Sequence, residues 1–265
     1  MHSFDGDIWN EFEWEAHINQ MEKEQKKLRA FFDHSEGTDK PRWVQLMNEY
    51  GSKIEAINAF IEEELLIEES YFPDDEDLDD EDDDIEDPLF GMDLEDDFFE
   101  DEDDDGIFGE DPDDELDEWD EEGEEWKRLS DDFVMSDYGS IEQLPIYNEA
   151  RTVSADLLKL SDSGTLSLDA QAVRDFITQN LQVASKIAAG YSLGFDKEVM
   201  GANIAYNKKA LQAANLSLQY WRGIYEHKLV DRKLYLEVHA RLFELRNDIG
   251  VYVQELREKF ENHGF

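Results

Sequence analysis

The sequence predicts an all-α protein in which an N-terminal helical hairpin and a C-terminal elongated antiparallel helical bundle are joined by a long acidic disordered segment. Three observations carry that reading. Apolar residues recur at spacings of three and four through residues 14–65 and again through 146–256, the period of a helix with one buried face. Clusters of Gly, Ser, Asp and Pro punctuate those stretches at helix-length intervals. Charge is gathered in one place: of the formal net charge of −46 on 265 residues, −39 falls in residues 63–139, where 41 acids face only Lys127 and Arg128. Residues 1–62 carry a net −6 and residues 140–265 a net −1, so the acidity is local. The expected divisions are 1–69 for the hairpin, 70–139 for the acidic segment, and 140–265 for a four-helix bundle or coiled-coil hairpin.

In the hairpin, Trp14, Ile18, Met21, Leu28 and Phe32 share one helix face, which Ser35-Glu36-Gly37-Thr38-Asp39 ends. A second helix is expected from Pro41, whose fixed φ and missing N–H suit a first helical position, with Thr38 or Asp39 as cap. Its stripe is Trp43, Leu46 or Met47, Tyr50, Ile54, Ile57, Ile61 and Leu65. Two such stripes need a partner. Docking on the C-terminal bundle is the favoured arrangement, because closing even a long loop costs little entropy; a homodimer is the alternative.

Between Pro73 and Glu125 like charges stand at nearly every position and too little apolar surface is present to offset chain entropy, so disorder is expected. Large apolar residues nevertheless interrupt the run: Tyr71 and Phe72, Leu89 and Phe90, Phe98 and Phe99, Ile107 and Phe108, Trp119, and Trp126. Leu89-Phe90-Gly91 and Ile107-Phe108-Gly109 each precede an acidic run, a short repeat with the form of a linear motif. Phe72, Leu89, Phe90, Phe98, Phe99, Ile107, Phe108, Trp119 and Trp126 are therefore the candidate partner-binding residues.

Four helices are expected beyond residue 140. The first starts at Pro145, turns Ile146, Ala150, Val153, Leu157 and Leu160 inward, and stops at Ser161-Asp162-Ser163-Gly164. The second follows a Ser167 or Asp169 cap and aligns Val173, Ile177, Leu181, Ala184, Ile187 and Tyr191. The third, capped by Asp196 and running to about Leu229, bears Met200, Ile204, Leu211, Leu218, Trp221 and Tyr225 on two faces, the pattern of a central helix. The fourth carries Tyr235, Val238, Leu242, Leu245, Ile249, Tyr252 and Leu256 in unbroken three-four alternation.

The composition closes off much chemistry. With no cysteine there is no disulfide, thiolate metal site or thiol nucleophile. So anionic a chain is not expected to bind nucleic acid or a membrane directly. No basic-then-apolar leader opens the sequence and no 18 apolar residues run together, so a soluble cytoplasmic protein is expected. A di-metal oxidase needs Glu-x-x-His, which is absent; His17 four after Glu13 is read as a surface pair, and Glu226-His227 and Glu237-x-His239 put their groups on different faces. Asp101 to Gly106 opens like a calcium-binding EF-hand loop, but its twelfth position is Pro112, so only weak, non-specific divalent cation binding is expected and no cofactor. There is no phosphate-binding Gly loop or nucleophile elbow; Gly190, Gly194, Gly201 and Gly223 read as helix ends or close-packing points.

What remains is a non-enzymatic acidic binding protein whose acidic, aromatic segment captures a basic protein or basic domain. Its carboxylates neutralise Lys and Arg while the aromatics add apolar and cation-π contacts. The segment is similar in kind to the acidic, aromatic-anchored segments of histone chaperones and nucleic-acid mimics, a likeness of composition that covers no aligned motif. The alternative is a helical adaptor with the acidic run as a solubilising spacer. A third reading has the segment covering a patch of Lys208, Lys209, Arg222, Lys228, Arg232 and Lys233 on its own bundle.

Overall fold

The computed structural model describes residues 8–36, 41–69 and 139–262, which form helices and their connections with no strand among them. In chain order the helices are α1 (Glu11–Glu36), α2 (Arg42–Glu49), α3 (Lys53–Glu69), α4 (Pro145–Asp162), α5 (Gln171–Ser192), α6 (Lys197–Glu226) and α7 (Arg232–Asn262), with a single 3-10 turn (Ile141–Gln143) before α4. The all-α prediction holds.

Asn10 starts α1 by accepting from the Phe12 and Glu13 amides, while Glu13 reaches back to the Asn10 N–H at 2.9 Å, a reciprocal capping box. Trp14, Ile18 and Met21 are buried as predicted; the Leu28 and Phe32 side chains, Thr38 and Asp39 lie outside the described residues. The second helix of the hairpin differs from the prediction. It is two helices, broken at Tyr50-Gly51-Ser52, because Ser52 Oγ accepts from the Glu55 amide and Glu55 returns the bond to the Ser52 N–H. Pro41 stands just before the first turn rather than in it. The break rotates the stripe: Tyr50 and Ile54 are exposed, and Ala56, Ile57, Phe60, Ile61 and Leu65 form the buried face of α3.

After residue 139, Ser140 caps the 3-10 turn and Pro145 occupies the first turn of α4 as expected. Neither Ser167 nor Asp169 caps α5. The Ser167 hydroxyl is occupied by the Asp169 amide within the preceding turn, and Ala170 takes the cap position. Asp196 stands at the cap of α6 but its side chain bonds none of the helix amides. That helix ends at Glu226, with Lys228 at φ 59° forming the turn into α7, and Asp231 accepts from the Leu234 amide at 2.8 Å to cap α7. The predicted α7 stripe is buried except Tyr235, which is half-buried, as are Leu160 of α4 and Leu211 and Leu218 of α6.

α5 and α6 are the central pair; α4 and α3 pack on α5, while α7 and α1 pack on α6. The stripes of the N-terminal helices thus meet the C-terminal helices of the same chain, in one compact unit. A small residue lets the central pair come close: a Cβ at Gly190 of α5 would lie 2.8 Å from Asn207 Nδ2 and 3.1 Å from the Asn203 carbonyl oxygen of α6, and both helices bury several alanines, among them Ala184 and Ala188, and Ala202, Ala205 and Ala210. Asn180 Nδ2 donates across the pair to Ser217 Oγ at 2.7 Å, and Asn203 Nδ2 of α6 donates to the Gly194 carbonyl just past α5 at 2.8 Å. Phe176 stacks on Trp221 at 4.8 Å, and Trp43 of α2 donates its indole N–H to Thr178 of α5 at 2.9 Å. Among the described residues, no helix is long and apolar enough to cross a membrane.

Candidate functional site

Phe72, Leu89, Phe90, Phe98, Phe99, Ile107, Phe108, Trp119 and Trp126 all lie outside the described residues, as does the Asp101 to Gly106 run. What the described helices do show is how the two ends of that segment are rooted. Its N-terminal root is the last turn of α3, and there the structure builds a charged seam between α1, α3, α5 and α6.

Lys186 of α5 is the centre of the seam. Its ammonium is 2.5 Å from Glu68 of α3 and 3.3 Å from Glu22 of α1, with the Tyr206 ring 5.5 Å away. Lys209 of α6 holds the other oxygen of Glu22 at 2.8 Å and Asn19 at 2.5 Å, and Gln182 donates to Glu64 at 3.0 Å. Lys186, Glu64 and Glu68 are all under a tenth exposed. A cleft of about 510 Å³ opens beside them, walled by Thr178, Gln179, Gln212 and Lys26.

Burial, with the Glu64 carboxylate adding to it, holds the Glu68 pKa above its ordinary value although Lys186 pulls it down. Burial also works against the Lys186 ammonium, yet Glu68 and Glu22 outweigh it and hold that pKa above its ordinary value. Glu22 is pulled below the ordinary range by Lys186 and Lys209 despite its own burial. Burial, reinforced by the Glu68 carboxylate, lifts the Tyr206 hydroxyl far above the usual phenol range, so it stays protonated. The arrangement is that of a clamp: cations of α5 and α6 between carboxylates of α1 and α3, holding the α3 end one residue before Glu69.

A second cluster pins the start of α1. Glu11, 8% exposed, takes two bonds from Arg257 of α7, at 2.6 and 2.7 Å, and Lys208 of α6 lies 3.4 Å from Glu11 and 2.5 Å from Glu15. Lys208 also sits 4.6 Å above the Phe12 ring. The bonds from Arg257 hold Glu11 below the ordinary carboxylate range, against its burial.

These pairs divide the basic patch read from the sequence. Lys208 and Lys209 are neighbours in the chain but serve two α1 clusters, and Arg222 pairs with Glu226 at 2.8 Å. Lys228, Arg232 and Lys233 stay exposed about the α6–α7 turn. Among the described residues no group of three or more His, Asp or Glu side chains is placed to hold a metal ion. His17 packs against Trp9 and Trp14, with ring centres 5.5 and 6.0 Å away, and His239 lies between Tyr235 and Phe243. Of the glycines, Gly190 and Gly201 are close-packing points within helices, Gly194 at φ 93° is a loop, and Gly223 faces open space.

The seam was missed from the sequence, though a signal for it exists. Lys186 interrupts Val183-Ala184-Ser185-Lys186-Ile187-Ala188-Ala189, an apolar stretch in which a lysine requires an anion. Glu64 and Glu68 stand four apart beside the buried Ile57, Ile61 and Leu65 of α3. Comparison with protein-family models, with curated proteins and with solved structures found no match.

Proposed function

We propose that this is a non-enzymatic binding protein, cytoplasmic in setting, whose acidic, aromatic-punctuated segment captures a basic protein or basic domain while the helical body holds both ends of that segment. The observation that carries the proposal is segregation of charge: −39 of the net −46 lies in residues 63–139, against −6 for residues 1–62 and −1 for residues 140–265. A surface adapted merely for solubility spreads its charge, and a spacer has no use for paired aromatics at intervals. Carboxylates draw in and neutralise Lys and Arg, and Phe90, Phe98, Phe99, Phe108 and Trp119 fix position through apolar and cation-π contact at about 0.5–2 kcal/mol each.

The body supports this role through its own ion pairs. Lys186, Lys208, Lys209, Arg241 and Arg257 are engaged by carboxylates of the body and so do not compete with a partner's cations for the segment. At one end Glu68 is clamped by Lys186; at the other, Ile141 and Leu144 are fully buried just past Gly139.

The test replaces Phe90, Phe98, Phe99, Phe108 and Trp119 with Ser, leaving every charge in place, and compares capture of basic proteins from native lysate across graded salt. Loss of about tenfold or more in retained partner at near-physiological salt is expected, since three lost contacts of this kind, even at about 0.5 kcal/mol each, amount to about 1.5 kcal/mol. Undiminished capture would refute the proposal and leave the adaptor reading.

A further inference from the structure

α7 packs chiefly on α6, and its flank towards α4 is left as a groove. Two recesses of about 310 and 550 Å³ run along it, one on either side of Arg241. The floor is apolar: Val153 and Leu157 of α4 line one recess with Val238 of α7, Ile146 of α4 lines the other with Leu245 of α7, Leu160 and Leu234 are half-buried at one end, and Val251 is 57% exposed towards the other. The rims are acidic. Glu149 and Asp156 on α4 and Glu237, Glu244, Asp248 and Glu255 on α7 stand against only Lys159 and Arg241.

Arg241 shows within the molecule what such a seat accepts. It carries a cation across the groove to Asp156 at 2.7 Å and Glu149 at 3.0 Å of the facing helix. The α7 carboxylates at 237, 244, 248 and 255 follow steps of seven, four and seven residues, roughly 10, 6 and 10 Å along the axis. Basic residues on a second helix laid alongside α7 repeat at the same steps. An extended chain does not share that period, and a nucleic acid or anionic lipid is repelled by the rims.

We propose that the α4–α7 groove seats a basic amphipathic helix of the partner, its apolar face on the floor and its Lys or Arg residues on the two rims. This rests on the reading of a basic protein partner and adds where on the body, and in what conformation, that partner docks. The acidic segment supplies charge-driven capture; the groove supplies recognition of a helix.

The test uses the full chain and two fluorescent peptides of roughly 18 residues, long enough to form a helix. One is a Leu/Lys amphipathic helix; the other has the same sequence in alternating D and L residues, with identical charge and no helix. Either is drawn to the acidic segment, so the ratio of their affinities reports the groove. Near 0.15 M salt the helical peptide is expected to bind about tenfold tighter, and Glu237→Lys/Glu244→Lys/Asp248→Lys, three exposed positions, to bring the ratio to near one. Arg241→Gln frees Glu149, leaves Asp156 with Lys159 alone, and raises affinity for the helical peptide about threefold, where a purely structural role predicts no gain. Because the chain has no cysteine, Val251→Cys takes a single environment-sensitive dye that should respond to the helical peptide alone. Equal binding of the two peptides, a ratio unmoved by charge reversal, or a silent dye overturns the proposal. The five-Ser variant separates the two ideas. If it weakens both peptides with the ratio intact, both stand; if it changes nothing, the capture reading fails and the ratio alone judges the groove.

Discussion

Glycine-to-alanine substitution at two helix-interior positions tests the docking of α1 on α6, because the same chemical change has opposite expected signs. At Gly201 of α6 an added methyl carbon would lie 2.5 Å from the Trp9 carbonyl oxygen and 2.7 Å from Cδ1 of the buried Trp14 ring. Neither atom is the free end of a flexible side chain, so α1 must shift off α6. Overpacking of that kind costs about 1–3 kcal/mol, and the better helix propensity of Ala returns up to about 1 kcal/mol, for a net loss of about 0–2 kcal/mol. At Gly250 of α7 nothing lies within 4 Å of the same methyl, so only the propensity gain applies and Gly250→Ala gains up to about 1 kcal/mol. The two variants should therefore differ by about 1–3 kcal/mol, or roughly 2–12 °C in melting temperature for a folded body of this size. Urea denaturation followed by tryptophan fluorescence, with matched slopes, gives the difference directly. Equal stabilities, or Gly201→Ala the more stable, would refute the close contact between the start of α1 and α6, and with it the single-unit arrangement.

Two further outcomes follow from the ion pairs. Glu11→Gln should lower stability at neutral pH by about 1–3 kcal/mol, towards the lower figure because Arg257 is one-third exposed. The folded-state pKa of Glu11 is depressed, so its stabilisation is present above the ordinary carboxylate range and fades as pH falls through the folded value; the gap between wild type and Glu11→Gln should close in acid, read by urea midpoints from pH 7 to pH 3. A gap independent of pH would contradict that account. Lys186→Met leaves Glu68 buried without its cation and should cost about 3–5 kcal/mol, whereas Lys186→Met/Glu68→Met should recover much of the loss, since Glu22 keeps Lys209. A double variant weaker than the single, by the same denaturation assay, would show that the seam is not a charge-balance device.

The hairpin shows where sequence patterning stopped. One apolar stripe ran through Trp43, Tyr50, Ile54 and Ile61 as though a single helix carried it, yet Ser52-Lys53-Ile54-Glu55 is a capping box, and its two reciprocal bonds outweigh the continuity of the stripe. The box of Asn10 and Glu13 at the start of α1 has the same form and was likewise not read from the sequence. At Ser167 and Asp169 the opposite error arose, because a residue of capping type was already occupied by the turn before it.

The sequence by itself determined that this is a helical protein of long amphipathic elements with its acidity gathered into one segment, because period and charge are local properties of the chain. It also located the apolar faces of α4, α5 and α7. Only the tertiary structure decided how those faces and their charges pair. Lys208 and Lys209, adjacent in the sequence and read together as one patch, serve different carboxylates of α1, and Lys186 finds Glu68 from 118 residues away. An ion pair between distant residues carries no periodic mark, and a groove such as that between α4 and α7 exists only once two helices have been set side by side.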